Sequence, residues 1–382
     1  MTVCAAASPS IRCFLFAGAW LAGGLLAQQR ATPSPSVAEV ITQASRWLMA
    51  EQQQDGRWRA MRDGDLWKFS EYDDVSVTAL SILALLPGAS TEGPDLRRAV
   101  RRATAWLDGL QGEDGSFGSF REASSVYAHA LALRALCSAQ RAWPSEARRA
   151  CIEDAVRYAL KIQNPVQMEV LIIDGERRVT RNGSGWGYEL RMGDNYSHLT
   201  AEMLRALAAG RAEKCEVPQA AQRSALELLR ANTNTASGRT GFSTTGGPMS
   251  RVTPKQEAYP GVLSEQPTAM RWLARVALQE LVETEEDLAL DLVAALPPKW
   301  DREAGSIDFA YWMAGAEVMS VVRRRSMTPS VERWRRALHE ALIPNRVVEG
   351  DRAHWPAVDA WSVPGMECYS TATALIALHA LR

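Results

Sequence analysis

The stretch Trp47-Leu48-Met49-Ala50-Glu51-Gln52-Gln53-Gln54-Asp55-Gly56-Arg57-Trp58 returns 59 residues later as Trp106-Leu107-Asp108-Gly109-Leu110-Gln111-Gly112-Glu113-Asp114-Gly115-Ser116-Phe117. Trp, Leu, Gln, Asp, Gly and a closing aromatic keep their places. Self-similarity at a fixed offset marks a repeat architecture, in which each copy is one supersecondary unit that buries its apolar face against its neighbours. Each copy reads as the end of an amphipathic helix, a Gln, an Asp-Gly turn and an aromatic side chain. A Gly just past a helix supplies the left-handed backbone that ends it, and the aromatic two residues on packs back across the turn. The predicted unit is helix, Gly-aromatic turn, helix.

Fainter copies continue along the chain. Tyr158 and Gln163 keep the five-residue spacing of Trp47 and Gln52, and Asn182-Gly183-Ser184-Gly185-Trp186 supplies a turn after an insertion. Further turns are read at Gly241-Phe242, Gly305 to Phe309 and Gly350 to Trp355. After the turns come apolar helices at about Val75 to Leu86, Ser125 to Ala139, Ser197 to Ala209, Thr268 to Leu281, Ala310 to Val322 and Thr371 to Leu381. These are rich in Ala and Leu, whereas the helices before the turns carry charge, as in Arg98 to Arg102 and Glu332 to Arg336. The quieter set is expected inside. Six such hairpins form either an open solenoid or a closed ring, and closure is favoured because neither end carries a polar capping repeat. The fold expected is therefore all-α, an (α/α)6 toroid. A small surface β-hairpin is expected from the insertion Glu169 to Thr180, with Asp174-Gly175 as its two-residue turn.

The N-terminus has Arg12, then an apolar run from Phe14 to Ala27, then Gln28-Gln29-Arg30 and the Pro/Ser-rich Ala31 to Ser36. That run is too short for a relaxed membrane span, so residues 1–27 are expected to be a secretory signal, 28–36 a linker and 37–382 the toroid. The alternative is an uncleaved anchor. With the signal removed, no stable transmembrane span is expected, and the chain is placed in the periplasm or outside the cell. Cys137, Cys151, Cys215 and Cys368 then remain, with Cys137–Cys151 the favoured bridge and buried free thiols the alternative. The formal net charge of −1 offers nothing to draw the chain to nucleic acid. No Cys/His cluster suggests a structural metal, and no cofactor is expected.

Gln52-x-x-x-Gly56-x-Trp58 and Gln111-x-x-x-Gly115-x-Phe117 resemble the Gln/Trp turn motif of the prenyltransferase and squalene-cyclase repeat family. Ile307 to Trp312 and Glu367 to Leu375 are similar to segments of exported bacterial members. The resemblance covers nearly all of residues 37–382 and implies the closed toroid. It also implies three chemistries that the residues test. Terpene cyclisation in the family uses an Asp-x-Asp-Asp motif whose middle acid protonates an alkene or epoxide. The nearest match is Glu71-Tyr72-Asp73-Asp74, with Asp73 as the acid and Glu71 and Asp74 beside it. Trp67, Tyr72, Tyr127, Tyr196, Trp312 and Tyr369 could supply the aromatic faces that steady a carbocation. Both aspartates also suit helix capping. Protein prenyl transfer needs a zinc site, but alignment puts Ser306, Asp308 and Ser370 at the ligand positions, without thiolate or imidazole. The internal thioester needs a Cys-Gly-Glu-Gln run, which the chain lacks.

In a toroid the starts of the inner helices converge on one mouth. Asp73 and Asp74, Tyr127 and His129, Asn195 and His198, Gln266, Asp308 with Tyr311 and Trp312, and Glu367 with Tyr369 are therefore the candidate site residues. Each also has a structural reading, namely satisfying an exposed helix N-terminus. The function expected is binding of a ligand or partner in or at the mouth of the cavity. The resemblance implies an apolar, isoprenoid-like small molecule, and a peptide or a glycan is the other class. The alternatives are a cyclase using Asp73 and a polysaccharide-active lyase or hydrolase.

Overall fold

The computed structural model describes residues 35–60, 73–89, 93–118, 125–173, 176–188, 194–250, 255–280, 283–325 and 328–382. Helices α1 (Val37–Glu51), α3 (Pro94–Leu110), α5 (Glu146–Lys161), α7 (Gln219–Ala231), α10 (Glu283–Ala295) and α12 (Pro329–Leu342) form the outer set. The inner set is α2 (Asp74–Ala89), α4 (Ser125–Ala142), α6 (Ser197–Ala212), α9 (Gln266–Leu278), α11 (Phe309–Arg325) and α13 (Ser362–Ala380), and a short α8 (Lys255–Ala258) lies before α9. The inner helices pack in the order α2, α4, α6, α9, α11, α13, and α13 packs back on α2. The ring is closed, as the repeat predicts. The expected signal and almost all of the linker lie outside the described residues. No described helix is long and apolar enough to cross a membrane.

The two sets differ because they face different surroundings. On α3 only a stripe is buried, Leu96, Ala99, Val100, Ala103, Thr104 and Leu107, while Arg98, Arg101 and Arg102 point to solvent. On α2 burial runs all round the helix, through Val77, Ala79, Leu80, Ile82, Ala84 and Leu85, because outer helices cover one side and the ring interior the other. Ser36 caps α1 through a reciprocal capping box with Glu39, and Ser145 and Thr328 cap α5 and α12.

The turns explain why Gln, Gly and the aromatic recur. Gln52 Nε2 donates to Gly56 O at 2.8 Å in its own turn and to Ala99 O at 2.9 Å on the next outer helix. Gln111 repeats this with Gly115 O at 3.1 Å and Cys151 O at 2.8 Å. Gln163 donates to Ser184 O and Ala221 O. Each Gln thus ties one hairpin to the next. Gly56 has φ +103°, and an added Cβ would lie 2.5 Å from Arg102 O, so both conformation and close approach require glycine. Trp58 closes the turn with two bonds: its backbone N–H donates to Thr78 Oγ1 at 3.0 Å and its indole to Leu48 O at 2.7 Å. Trp186 and Trp355 repeat both, to Thr200 with Ala159 and to Thr371 with Leu342.

Several features differ from the sequence reading. In the fourth turn the aromatic's place belongs to Thr240, whose N–H donates to Thr268 Oγ1 at 3.1 Å, with Gly238 at φ +75° as the turn glycine. Phe242 is therefore not the turn aromatic. The sixth turn is a second hairpin, β3 (Val347–Glu349) with β4 (Arg352–His354), numbered after the insertion hairpin. Helix α13 begins earlier than expected and is kinked at Met366, φ +48°. The expected insertion hairpin is present as antiparallel β1 (Gln167–Ile173) and β2 (Glu176–Gly183), while its turn, Asp174-Gly175, lies outside the described residues. Among the described residues Cys137, Cys151, Cys215 and Cys368 are free thiols, so the expected Cys137–Cys151 bridge is not formed.

Candidate functional site

Each Gly-aromatic turn leads into the start of an inner helix, so the inner-helix N-termini gather at one mouth. Several expected site residues are used there to build the mouth. Asp73 Oδ1 accepts from Ser76 N at 2.8 Å, while Asp73 N donates to Ser76 Oγ at 2.7 Å, a reciprocal cap on α2. Asp74 accepts from Arg57 at 3.0 Å and from Ala60 N at 2.8 Å, which fastens the first turn. Glu71 lies outside the described residues, as do Trp67 and Tyr72. Asp308 Oδ1 accepts from Tyr311 N at 2.9 Å and caps α11.

His129 occupies the slot that Thr78, Thr200 and Thr371 fill in other units. Its Nδ1 accepts from Phe117 N at 3.3 Å, which leaves the proton on Nε2 to bond Ala155 O at 3.0 Å. Burial holds its pKa down to about 4, against the Ala155 hydrogen bond, so the ring is neutral and structural. Tyr311, expected at the mouth, turns outward: its hydroxyl donates to Leu296 O at 2.7 Å behind α10. Trp312 packs on Phe309 and Trp300, with ring centroids 5.5 and 6.2 Å away. His129, Tyr311 and Trp312 therefore serve the core. Glu367 is half-buried on α13, one residue past its kink.

Tyr369 leads to a carboxylate to which no sequence motif points. Its hydroxyl donates to Asp359 Oδ2 at 3.3 Å, and Asp359 also accepts from Phe309 N at 2.8 Å, Trp361 N at 3.0 Å and Ser362 Oγ. Asp359 thus links the starts of α11 and α13. Burial, and then the nearby Asp308 carboxylate, push its pKa up to about 6 against those hydrogen bonds.

Around the start of α6 the mouth has an aromatic wall. His198 stacks on Phe242, with centroids 4.9 Å apart and planes at 17°, and its Nε2 lies 3.0 Å from the Tyr188 hydroxyl. Tyr196 lies 4.8 Å from both Tyr188 and Phe242, and Tyr127 is 6.2 Å from His198. Tyr188, Tyr196 and Phe242 are half-buried, while Tyr127 and His198 are buried behind them. Phe242 is available here because Thr240 holds the aromatic's place in the turn, and Phe242 O accepts from Ser197 N at 2.8 Å. Asn195 Oδ1 accepts from Asn164 Nδ2 and Gly185 N, fixing the loop before α6.

Deeper in the ring lies a group of four charges. Arg134 on α4 pairs with Glu202 on α6 and with Glu317 on α11 at 3.4 Å. Arg205 pairs with Glu202 at 3.2 Å and with Glu317 at 2.7 Å. Since α4 and α11 stand opposite each other in the ring order, this closed quartet spans the lumen. Burial works against the charge on Glu202, but Arg134 and Arg205 outweigh it and hold the carboxyl below its ordinary value. The signal in the sequence is a scatter of isolated charges in the Ala-rich inner helices. Among the described residues, no three His, Cys, Asp or Glu side chains gather as a metal cage.

The profile of the squalene-hopene cyclase C-terminal domain family matches residues 23–247. A copalyl diphosphate synthase from Streptomyces cyslabdanicus is 36% identical over 87 residues, which is 22% of this chain and 14% of that enzyme. A variant of the type II terpene cyclase MstE from Scytonema, in complex with its product merosterolic acid A, matches with TM-score 0.54 and 13% identity over 90% of this chain and 96% of that one. An inactive α-1,6-mannanase from Salegentibacter in complex with α-1,6-mannotriose matches with TM-score 0.59 and 9% identity over 90% and 98%. At these identities the two structures share the fold alone. By the extent of the profile match, the chain belongs to the squalene-hopene cyclase C-terminal domain family.

Proposed function

We propose that this protein binds a ligand at the mouth of its ring, against the aromatic wall and above the charged quartet. The observation that carries this reading is the pairing of half-buried Tyr188, Tyr196 and Phe242 with a lumen crossed by Arg134, Glu202, Arg205 and Glu317. Convergent aromatic faces with a few placed polar groups are the ordinary make-up of a small-molecule site. The toroids that hold merosterolic acid A and mannotriose support the use of such a ring for ligands. An isoprenoid-like chain would lie along the wall, because the quartet bars an apolar path through the centre.

Cyclase chemistry with Asp73 as acid is the second reading, supported by the family and by the partial copalyl diphosphate synthase match. Asp73 is engaged by Ser76 as the N-terminal cap of α2, a structural use of an acid at the start of a helix that needs no catalytic role. Binding is therefore placed ahead of catalysis. We also propose export, with cleavage after Ala27, which N-terminal sequencing of the secreted protein tests. For the binding reading, the test is native mass spectrometry of protein purified without added ligand, followed by solvent extraction. A bound mass that is lost in Tyr196→Ala supports the mouth, and a bound mass retained in that folded variant contradicts it.

A further inference from the structure

We infer that the ligand of this mouth is a neutral saccharide rather than a hydrocarbon or an ion, an inference that rests on the mouth-binding reading. The depth comes first. His198 and Glu202 are one helical turn apart on α6, and Tyr127 and Arg134 are two turns apart on α4, so the charged floor lies about 6–10 Å below the aromatic wall. That depth is comparable to the length of one or two sugar rings.

The chemistry of the floor comes second. Two guanidiniums and two carboxylates cancel in net charge, leaving no excess to attract an ionic ligand. A hydrocarbon on the quartet would strip the remaining hydration from Arg134 and Glu317, whose side chains stay 14% and 20% exposed. Hydroxyl groups both donate and accept, so they meet guanidinium and carboxylate alike. The third observation is independent. Asn195 Nδ2, before α6, and Gln266 Oε1, at the start of the neighbouring α9, are buried without a hydrogen-bond partner among the described residues. A buried donor and a buried acceptor without partners each call for a hydrogen-bonding group from a ligand or water. A polyol supplies such groups, and its apolar ring face packs on Tyr196 and Phe242.

The experiment is saturation-transfer NMR with calorimetric titration on the full chain. The probes are neutral di- and trisaccharides of glucose, mannose and xylose, with farnesol and trigalacturonate in parallel. The inference expects a neutral saccharide to bind and Tyr196→Ala to weaken it at least ten-fold. Phe242→Leu serves as a second, milder variant, and thermal melts verify that both fold. Farnesol or trigalacturonate binding with that dependence, and no neutral saccharide, overturns the saccharide inference while leaving the mouth reading intact. Saccharide binding unmoved by both variants overturns it as well. If no probe binds in a Tyr196-dependent way, both fail.

Discussion

Replacing Glu202 with Gln removes one charge from the centre of the ring while keeping the side chain's shape. Glu202 is 1% exposed and pairs with both Arg134 and Arg205, so the variant leaves two largely desolvated guanidiniums, 14% and 10% exposed, sharing Glu317 alone. Breaking a buried ion pair by removing one partner costs about 3–5 kcal/mol, because the remaining charge is desolvated without compensation. With an unfolding entropy of about 2.1 cal/mol/K per residue over roughly 350 residues, that loss lowers the melting midpoint by about 4–7 °C. The assay is calorimetry at pH 7, repeated across the acid range. Because the folded pKa of Glu202 is depressed, its contribution is fully present above the unfolded value of about 4.3 and is lost as pH falls through the folded value. The gap between wild type and variant should therefore narrow below about pH 4. A midpoint within about 1 °C of wild type at pH 7 would refute the buried quartet.

Other variants probe the turns and caps. Gln111→Ala removes both bonds from its Nε2 to Gly115 O and Cys151 O and should cost about 1–3 kcal/mol in chemical denaturation; a loss below about 0.5 kcal/mol contradicts the hairpin-tying role. Asp73→Asn should leave stability nearly unchanged, since Asn caps as well as Asp, whereas Asp73→Ala should cost about 1 kcal/mol. Equal losses in the two would show that the charge, not the cap, matters. Asp359 should titrate near pH 6 by carbon-detected NMR of the side-chain carboxyls. Its folded pKa is raised, so its contribution favours the folded state in acid, is fully present below the unfolded value of about 3.9 and is lost as pH rises through the folded one. An Asp359 titration below about pH 4 contradicts its burial beside Asp308.

The repeat makes the fold legible because every unit uses the same physical device, a Gln that bonds two carbonyls, a glycine pressed on the next helix, and a backbone N–H that closes on the inner helix. The fourth turn departs from its sequence reading because the recurring element is that N–H and not the aromatic, so Thr240 closes its turn as Trp58 does. The same principle conceals the role of His129, which stands where other units have a threonine and whose chemistry alone suggests a site. Asp73 and Asp308 are recognisable as caps from their place before apolar helices. Asp359, Tyr188 and Phe242 are not recognisable as mouth residues, because loops of irregular length bring them there. The quartet is hidden for another reason: Arg134, Glu202 and Glu317 are far apart in sequence, and only ring closure makes them neighbours.

The most direct test of the central claim is a crystal structure of the full chain grown with the saccharide that binds. Density is expected for a sugar ring stacked against Tyr196 and Phe242, with hydroxyls directed towards Arg134 and Glu317 and the quartet still closed beneath it. Density that passes through the centre of the ring with the quartet open, or a ligand held only on the outer helices, would contradict it.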